Sequence, residues 1–223
     1  MAAGSGSRMG AELPKQFLEI DGKAILQKTI EVFRDALPGI KVITVLPEAY
    51  IDYWKDYCYR NRFTCPQILV KGGITRFHSV RNALARIPDG ALAAVHDGVR
   101  PLITPSKVRE LFDRAEDCPG VIPVIPCVDT MKVLMSSDSK DIWTEAEGQA
   151  VDRSVLFGAQ TPQVFQSEIL KEAYGKAYDT AFTDDASVVE KYGKNLSFVI
   201  GERFNIKLTT QDDLKIARAL IEG

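Results

Sequence analysis

Residues 91–115 read ALAAVHDGVRPLITPSKVRELFDRA, and this stretch decides the fold class. The apolar run 91–95 is typical of a buried strand, whereas the apolar positions of 108–115 recur at helical spacing. Between the two runs, Thr104 and Pro105 suit the N-cap and the first position of a helix. The stretch therefore predicts a strand followed by a helix.

The same alternation extends outward along the chain. Further strand-like runs lie between amphipathic helical runs, at residues 40–46, 67–70, 121–125 and 197–200. Pro123 indicates an edge strand or a bulge, because proline cannot donate a hydrogen bond to a neighbouring strand. The alternation predicts one α/β domain over residues 1–223, with a three-layer, Rossmann-like, mostly parallel sheet. Ligands of such sheets bind beyond the carboxyl ends of the strands.

The composition is that of an ordinary globular protein. The chain has 223 residues and a net charge of -2, so no global basic field favours nucleic acid or an anionic membrane as a partner. The four cysteines form no C-x-x-C pair and there are only two histidines, which argues against structural zinc. We find no apolar run of membrane-spanning length and no signal peptide, and we expect a cytoplasmic protein with reduced thiols.

The segment from about 129 to 152 breaks the alternation. It is polar, it lacks a helical period, and its centre at 136–141 is rich in turn residues. Short β-prone runs at 131–135 and 149–151 flank that centre, so we predict a protruding β-arm, with a surface loop as the alternative. A polar two-stranded ribbon is marginal on its own in water, and we expect the arm to pack on a twofold partner in a homodimer.

The chain begins MAAGSGSRMG and continues to PKQF at 14–17. Glycines let the backbone approach a phosphate, and Arg8 and Lys15 add two cations, which is the combination that a triphosphate needs. The spacing fits neither a Walker A loop nor a Rossmann fingerprint, and the alternative is a flexible tail. Such a loop normally follows a central strand. That strand is missing or reduced to a stub, so we expect a start upstream of Met1 or a Met1 that replaces a strand residue.

The opening loop resembles the signature loop of the nucleotidyltransferases that make CDP-alcohols and NDP-sugars. Its PKQF ending is similar to the methylerythritol phosphate cytidylyltransferase branch of these enzymes. The resemblance continues in order along nearly the whole chain, through motifs at 72–80, 95–101, 129–132, 151–153, 161–163, 183–187 and 205–207. One departure is Ile74, where the family often has an acidic residue.

The resemblance implies that CTP and a sugar-alcohol phosphate, methylerythritol 4-phosphate, are the substrates. The implied catalytic residues are Arg8, Lys15, Asp97 and Lys207. The implied nucleotide-binding residues are Ala2, Ala3, Gly4, Gly6, Gly73 and Ser79. The implied substrate-binding residues are Arg100, Thr130, Arg153 and Thr183. By the same analogy, Thr130 and Arg153 of the arm reach the neighbouring subunit's substrate.

Several of these residues also have a chemical reason to be chosen. Asp97 follows a strand, and a carboxylate among phosphates needs a divalent cation, so we predict Mg²⁺ there unless Asp97 only caps a turn. Arg100 suits bidentate phosphate recognition. Lys207, on a predicted late strand, can neutralise a phosphate or be an ordinary surface lysine. Thr183 suits a helix N-cap, whereas His96 is expected to be a buried strand residue without a catalytic role.

Three alternatives stay open at this point. Ribitol 5-phosphate cytidylyltransferase shares the CTP loop, although the motifs at 129–132 and 151–153 favour the methylerythritol branch. A catalytically inactive nucleotide-binding module would lack cations or the metal carboxylate, and here Arg8, Lys15, Asp97 and Lys207 are all present. A dinucleotide-dependent dehydrogenase is disfavoured by the glycine spacing.

Overall fold

The computed structural model describes residues 1–4, 13–136, 142–146 and 151–222. The strands are β1 (Glu19–Ile20), β2 (Lys23–Ala24), β3 (Val42–Leu46), β4 (Gln67–Lys71), β5 (Leu92–Val95), β6 (Gly120–Pro126), β7 (Leu134–Ser136), β8 (Trp143–Glu145), β9 (Phe157–Ala159), β10 (Gln163–Gln166) and β11 (Ser197–Ile200). The α-helices are α1 (Ile25–Ala36), α2 (Ile51–Arg60), α3 (Arg76–Leu84), α4 (Pro105–Ala115), α5 (Ser167–Tyr174), α6 (Asp185–Lys191) and α7 (Gln211–Glu222).

The central strands form two groups that meet at the N-terminus. One group has the order β11-β6-β10-β5, with β9 also beside β6, and the other is the parallel pair β3-β4. The Ala2 N–H donates to the Val45 carbonyl at 2.9 Å, and the Gly98 N–H donates to the Met1 carbonyl at 2.8 Å. Residues 1–2 therefore connect the two groups edge to edge.

The strand directions confirm the predicted mostly parallel sheet. β10 runs antiparallel to both β5 and β6, so β5 and β6 are parallel to each other, and β11 is parallel to β6. β9 is antiparallel to β6. Within this group, only β9 and β10 therefore run against the other described strands, and β3 and β4 are parallel to each other.

Helices cover both faces of this sheet, which confirms the three-layer α/β prediction. On one face α3, α5 and α6 bury Val80, Leu170 and Val189 against strand residues such as Val95. On the other face α1 and α2 share one apolar cluster, and α1 and α4 share another. Alternation along β5 sends Ala93 and Val95 to the first face and its intervening residues to the second.

Pro123 lies in an interior strand, so of the two predicted alternatives, an edge strand or a bulge, the edge strand is wrong. β6 has β11 on one side, and on the other side it pairs first with β10 and then with β9. Pro123 lies between these two short antiparallel ladders, and its carbonyl accepts the N–H of Gln160 at 2.8 Å. The missing proline N–H therefore falls where the pairing is already interrupted.

The arm contains an antiparallel ribbon, with Leu134 opposite Glu145 and Ser136 opposite Trp143. β7 overlaps the predicted run 131–135, but the second strand is β8 rather than 149–151. Trp143 and Thr144 are residue types that favour strands. Val151 is not in a strand, and Gln149 and Ala150 lie outside the described residues.

None of the helices in the described ranges is long and apolar enough to cross a bilayer.

Candidate active site

The backbone of the opening loop packs against the turn that follows β4. A Cβ on Gly72 would lie 2.7 Å from the Ala3 Cβ, and a Cβ on Gly73 would lie 2.5 Å from the His78 Cβ. No side chain fits at either position, so glycine is required for this close approach. The structure therefore brings two of the predicted nucleotide-binding positions, Ala3 and Gly73, into neighbouring segments of backbone.

Ser79 shapes this turn from inside. It is buried, its Oγ accepts the Gly73 N–H at 2.9 Å, and its hydroxyl donates to the Thr75 carbonyl at 2.9 Å. Thr75 is also the N-cap of α3. The single hydroxyl proton of Ser79 is therefore used within the turn, so Ser79 fixes Gly73 and could meet a base only as a hydrogen-bond acceptor.

Gln16 holds the other side of the opening loop. Its side chain is 2% exposed, and its Nε2 donates to the carbonyls of Ala2 at 2.8 Å and Gly4 at 3.3 Å. Gln16 belongs to a single 3₁₀ turn, Lys15–Phe17, that also carries the half-buried Lys15. The predicted residues Arg8 and Gly6 lie outside the described residues.

Asp97 is the centre of a charged cluster just beyond β5. Its Oδ2 lies 3.1 Å from the Nζ of Lys207 and 3.1 Å from the Nε of Arg100. Burial alone would raise the pKa of Asp97, but the charges of Lys207, Arg76 and Arg100 outweigh it and hold that pKa well below the usual carboxyl range. Asp97 is therefore a carboxylate at neutral pH.

The sequence predicted that Lys207 lies on a strand, and this prediction is wrong. The last described strand is β11, and Lys207 follows it on an irregular segment. The next residue, Leu208, is fully buried and its N–H donates to the Val99 carbonyl at 2.9 Å. This anchor holds the half-exposed Lys207 side chain beside Asp97.

Arg100 is in the site, but its guanidinium is largely engaged within the protein. Its NH1 donates to the Asn205 carbonyl at 2.8 Å, its Nε donates to Asp97, and its side chain is 13% exposed. Arg100 thus ties the end of β5 to the segment that carries Lys207.

His96 is the buried, hydrogen-bonded residue that the sequence predicted. Its Nε2 donates to the Arg100 carbonyl at 3.1 Å, and its Nδ1 accepts from the Thr161 hydroxyl at 3.0 Å. The Thr161 Oγ1 in turn accepts the Asp97 N–H at 3.1 Å. Burial lowers the pKa of His96 to about 3 despite the nearby Asp97, so the ring is neutral and orients the backbone of Asp97.

A second buried carboxylate, Asp185, joins α3 to α6. Its carboxylate accepts hydrogen bonds from NH1 and NH2 of Arg76 and from the hydroxyl of Tyr174, and its side chain is fully buried. Burial raises the pKa of Tyr174, and Asp185 adds to this, so the phenol stays protonated and donates. Arg76 is also close enough to Asp97 to lower its pKa.

The cap of α6 is Asp184, and the prediction that Thr183 caps this helix is wrong. Asp184 Oδ1 accepts the Ser187 N–H at 2.8 Å, and Gln163 Nε2 donates to Asp184 Oδ2 at 2.7 Å. Asp184 completes a capping box with Ser187, whose Oγ accepts the Asp184 N–H at 3.2 Å. Thr183 is exposed just before the helix, with its N–H bonded to Ser187 Oγ at 3.1 Å.

Thr130 and Arg153 lie on the arm and are exposed. Arg153 NH1 donates to the Val128 carbonyl at 3.0 Å, across the base of the arm. Within the described part of the chain, no hydrogen bond or ion pair joins either residue to Asp97 or Lys207. The contacts of the described residues therefore do not link Thr130 or Arg153 to the charged cluster within one subunit.

The residues present fit a magnesium ion that is held mainly by substrate. In the described ranges, no three histidine, cysteine or acidic side chains cluster as a metal site. Mg²⁺ commonly binds through one or two carboxylates together with substrate phosphates, and Asp97 is ionised and at the strand end where phosphates would lie.

Comparison with known proteins gives the family. The family described as IspD, 2-C-methyl-D-erythritol 4-phosphate cytidylyltransferase, matches residues 1–223. The chain belongs to this family. The cytidylyltransferase of that name from Bacteroides thetaiotaomicron is 44% identical over 221 residues, which is 99% of this chain and 97% of the relative. The resemblance inferred from the motifs is therefore confirmed.

Solved structures of the family have the same fold. The 4-diphosphocytidyl-2C-methyl-D-erythritol synthase of Anaerococcus prevotii has a TM-score of 0.79 at 26% identity, covering 100% of this chain and 95% of that chain. The 2-C-methyl-D-erythritol 4-phosphate cytidylyltransferase of Thermus thermophilus has a TM-score of 0.73 at 29% identity, covering 100% and 96%. The Rossmann-like prediction is thereby confirmed.

Within this IspD-family site, sequence reasoning missed the positioning side chains. Gln16 and Arg76 stood inside quoted motifs but received no role, and Gln163 and Asn205 were likewise only part of motifs. These roles could have been suspected from the sequence, because each of the four residues is polar and stands inside a motif. Their contact partners lie far away in sequence, so only the fold shows what each one holds.

Proposed function

We propose that this chain transfers the cytidylyl group of CTP to 2-C-methyl-D-erythritol 4-phosphate. A phosphate oxygen of the acceptor attacks the α-phosphorus of CTP in line and forms the new P–O bond. The bond from the α-phosphorus to the bridging oxygen breaks, pyrophosphate leaves with that electron pair, and 4-diphosphocytidyl-2-C-methyl-D-erythritol is the other product. The observation that carries this proposal is the Asp97–Lys207 pair beyond β5, beside residues 1–4 and the Gly72–Gly73 turn.

The nucleotide side of this site is built from backbone. Ala2, Ala3 and Gly4 offer the main chain of the opening loop, and Gly73 offers a turn without side chains, fixed by Ser79. Gly6 and Arg8 belong to the same loop by sequence. A narrow backbone turn favours cytosine over a purine, so we expect CTP to be used much better than ATP or GTP.

The chemistry needs charge more than a strong base. The attacking phosphate is already ionised, so positioning and charge stabilisation supply the rate. Lys207 would neutralise charge on the α-phosphate and on the attacking phosphate. Lys15 and Arg8 would stabilise the negative charge that develops on the leaving pyrophosphate. Arg100 and Thr183 would orient the acceptor, Arg100 chiefly by holding Asp97 and the Asn205 carbonyl.

A magnesium ion would be held by Asp97 and the phosphates of CTP. When bound, it supplies charge neutralisation along the triphosphate. The described ion pairs of Asp97, to Lys207 and Arg100, both use Oδ2, so Oδ1 is the oxygen that would hold the cation.

We infer a homodimer in which the arm of each subunit contributes residues to the active site of its partner. Exposed apolar side chains line the ribbon and the neighbouring strand, including Met135, Trp143 and Phe157. Burial of such side chains against a twofold partner is favourable. We infer that Thr130 and Arg153 then bind the acceptor phosphate in the partner's site.

The four cysteines are free thiols, which agrees with a reducing cytoplasm.

A substrate panel tests the proposed reaction. Pyrophosphate release is measured with CTP, ATP and GTP, each with methylerythritol 4-phosphate and with ribitol 5-phosphate. We expect release only with CTP and the methylerythritol phosphate at a useful rate. Preference for ribitol 5-phosphate would assign the chain to the sibling activity, equal use of ATP would remove the cytosine assignment, and no release with any pair would indicate an inactive nucleotide-binding module.

A further inference from the structure

Arg76 is a cation at the first position of helix α3, directly after the N-cap Thr75. A positive side chain is unfavourable at this end of a helix, where the free N–H groups already carry partial positive charge. The guanidinium is instead matched to Asp185, with NH1 at 2.9 Å and NH2 at 2.5 Å from the two carboxylate oxygens. The position of Arg76 is therefore explained by its contact with a residue 109 positions later in the chain.

The geometry of this pair matters more to the fold than its charge does. Asp185 is the first residue of α6, it is fully buried, and it also accepts a hydrogen bond from the hydroxyl of Tyr174. A buried ion pair adds little net stability, because the lost hydration of both charges offsets their attraction. Two parallel N–H···O bonds from one planar guanidinium do fix distance and orientation. The pair therefore sets the start of α3 against the start of α6.

The segments that precede these two helices carry residues assigned to the two substrates. Before α3, the Gly73 N–H donates to Ser79 Oγ, and the Ser79 hydroxyl donates to the Thr75 carbonyl. The proposed cytosine turn is thus bonded to the N-cap of α3. Before α6, the exposed Thr183 stands two residues ahead of the start of the helix. The pair between the two helix starts therefore links the cytosine turn to Thr183.

Gln163 also holds the start of α6. It is buried, its Nε2 donates to Asp184 Oδ2 at 2.7 Å, and its Oε1 accepts the Ala186 N–H at 2.9 Å. Gln163 opens β10 and lies there opposite Val95 of β5, two residues before Asp97. The start of α6 is therefore held against both α3 and the strand end that carries Asp97.

We propose that the Arg76–Asp185 pair positions the acceptor substrate. It holds Thr183 at a fixed place relative to the cytosine turn, so that the acceptor phosphate meets the α-phosphorus of a nucleotide bound at that turn. This inference rests on the proposed function, because it takes the cytosine turn and Thr183 as contacts of the two substrates. Arg76 and Asp185 are positioning residues that act through Thr183 and do not touch substrate themselves.

Conservative variants of the pair test this role through the KM of the acceptor, measured at saturating CTP. Arg76→Lys keeps the charge but lacks the planar fork, and Asp185→Asn keeps the shape but loses the charge. We expect each to raise the acceptor KM by about tenfold or more, because small displacements of reacting groups are costly. The affinity for CTP should change by less than about twofold, because Ser79 and Thr75 hold the cytosine turn without the pair.

Two further variants separate positioning from stability. Tyr174→Phe removes one hydrogen bond to Asp185 and leaves Arg76 paired, so it keeps the test available if Asp185→Asn does not fold. It should raise the acceptor KM in the same direction but by less. Val108→Ala, fully buried on α4, is the control and should lower Tm without changing the acceptor KM. Variants of the pair that lower Tm and leave the acceptor KM unchanged would overturn the proposal.

A double-variant cycle tests whether the pair acts through Thr183. If it does, Arg76→Lys combined with Thr183→Ala should raise the acceptor KM no more than the worse single variant, whereas independent effects would multiply. Multiplied effects would overturn the proposal. A defect in Arg76→Lys with none in Asp185→Asn or Tyr174→Phe would place Arg76 on the substrate itself and also overturn it. Failure of the proposed function is distinguishable, because the wild type would then release no pyrophosphate with CTP and methylerythritol 4-phosphate, and this inference would fall with it.

Discussion

The Nζ of Lys207 and the Nε of Arg100 lie at the same distance, 3.1 Å, from one oxygen of Asp97. The two cations differ in what else they hold. Arg100 is 13% exposed and also bonds the Asn205 carbonyl, whereas Lys207 is 43% exposed. Lys207 can therefore turn to a phosphate while Arg100 keeps the carboxylate in place.

Lys207→Ala and Lys15→Ala should lower kcat more than they weaken CTP binding. Both lysines are assigned to charge that develops in the transition state, so a loss of order 10² in kcat is expected for each. Steady-state kinetics together with calorimetric CTP titration measure the two effects. Lys215→Ala, on an exposed face of α7, is the matched control and should change neither. Near-normal kcat in a site variant would remove that lysine from the mechanism.

Gly73→Ala should weaken CTP binding by at least about tenfold, which corresponds to about 1.4 kcal/mol. The added Cβ would lie 2.5 Å from the His78 Cβ and 2.8 Å from the His78 carbonyl carbon, so the turn has to move. Gly39→Ala is the control, because a Cβ there meets nothing within 4 Å. Calorimetry with CTP gives both affinities. Unchanged affinity in Gly73→Ala would show that this turn does not contact the nucleotide.

The stability of the protein should fall as the pH is lowered from about 6.5 to about 3, and His96 should contribute to that slope. The folded chain holds the His96 pKa at about 3, below the unfolded value, so the unfolded chain binds the extra proton first. His96 therefore stabilises the folded state fully above the unfolded pKa and loses this contribution as the pH falls toward the folded pKa.

Urea unfolding of wild type and His96→Gln across this pH range measures the contribution. The variant is expected to be less stable at neutral pH, because its bonds to Thr161 and Arg100 change, but to have the shallower slope by up to about 1.4 kcal/mol per pH unit. Identical slopes would show that the His96 ring takes up its proton without unfolding.

Asp97→Ala and Arg153→Ala should each be nearly inactive alone and should complement each other when co-expressed. If Arg153 serves the partner's site, a mixed dimer has one site with both lesions and one site with neither. Random pairing makes about half of the dimers mixed, so about a quarter of wild-type activity should return. If Arg153 serves its own subunit, no activity returns, and a monomer in light scattering would contradict the dimer directly.

The sequence predicted the parts of the fold that local patterns determine. Apolar runs and helix caps gave β3 to β6 and α4, and Thr104 caps α4 with its side chain as expected. Pro123 was misplaced because the interruption beside it depends on two strands, β9 and β10, that are distant in sequence. The second strand of the arm was misplaced because two short β-prone runs compete there, and pairing rather than propensity decides between them.

In the candidate site, too, local patterns could be predicted from the sequence, whereas contacts between distant segments could not. The position of Asp97 could be predicted, because the polar residue that follows a buried strand lies at the edge of a parallel sheet where ligands bind. Two sets of hydrogen bonds could not be predicted from the sequence. Asp185 accepts hydrogen bonds from Arg76 and Tyr174, and Gln16 donates to the carbonyls of Ala2 and Gly4. Each of these contacts joins segments that only the folded chain brings together.

One measurement tests the central claim most directly. The protein is incubated with CTP and methylerythritol 4-phosphate whose non-bridging phosphate oxygens carry ¹⁸O, and both products are weighed by mass spectrometry. Attack of the acceptor phosphate on the α-phosphorus predicts 4-diphosphocytidyl-2-C-methyl-D-erythritol that retains all of the label, and pyrophosphate that contains none. Label in pyrophosphate, or no cytidylyl product with Lys15, Asp97 and Lys207 intact, would contradict the account.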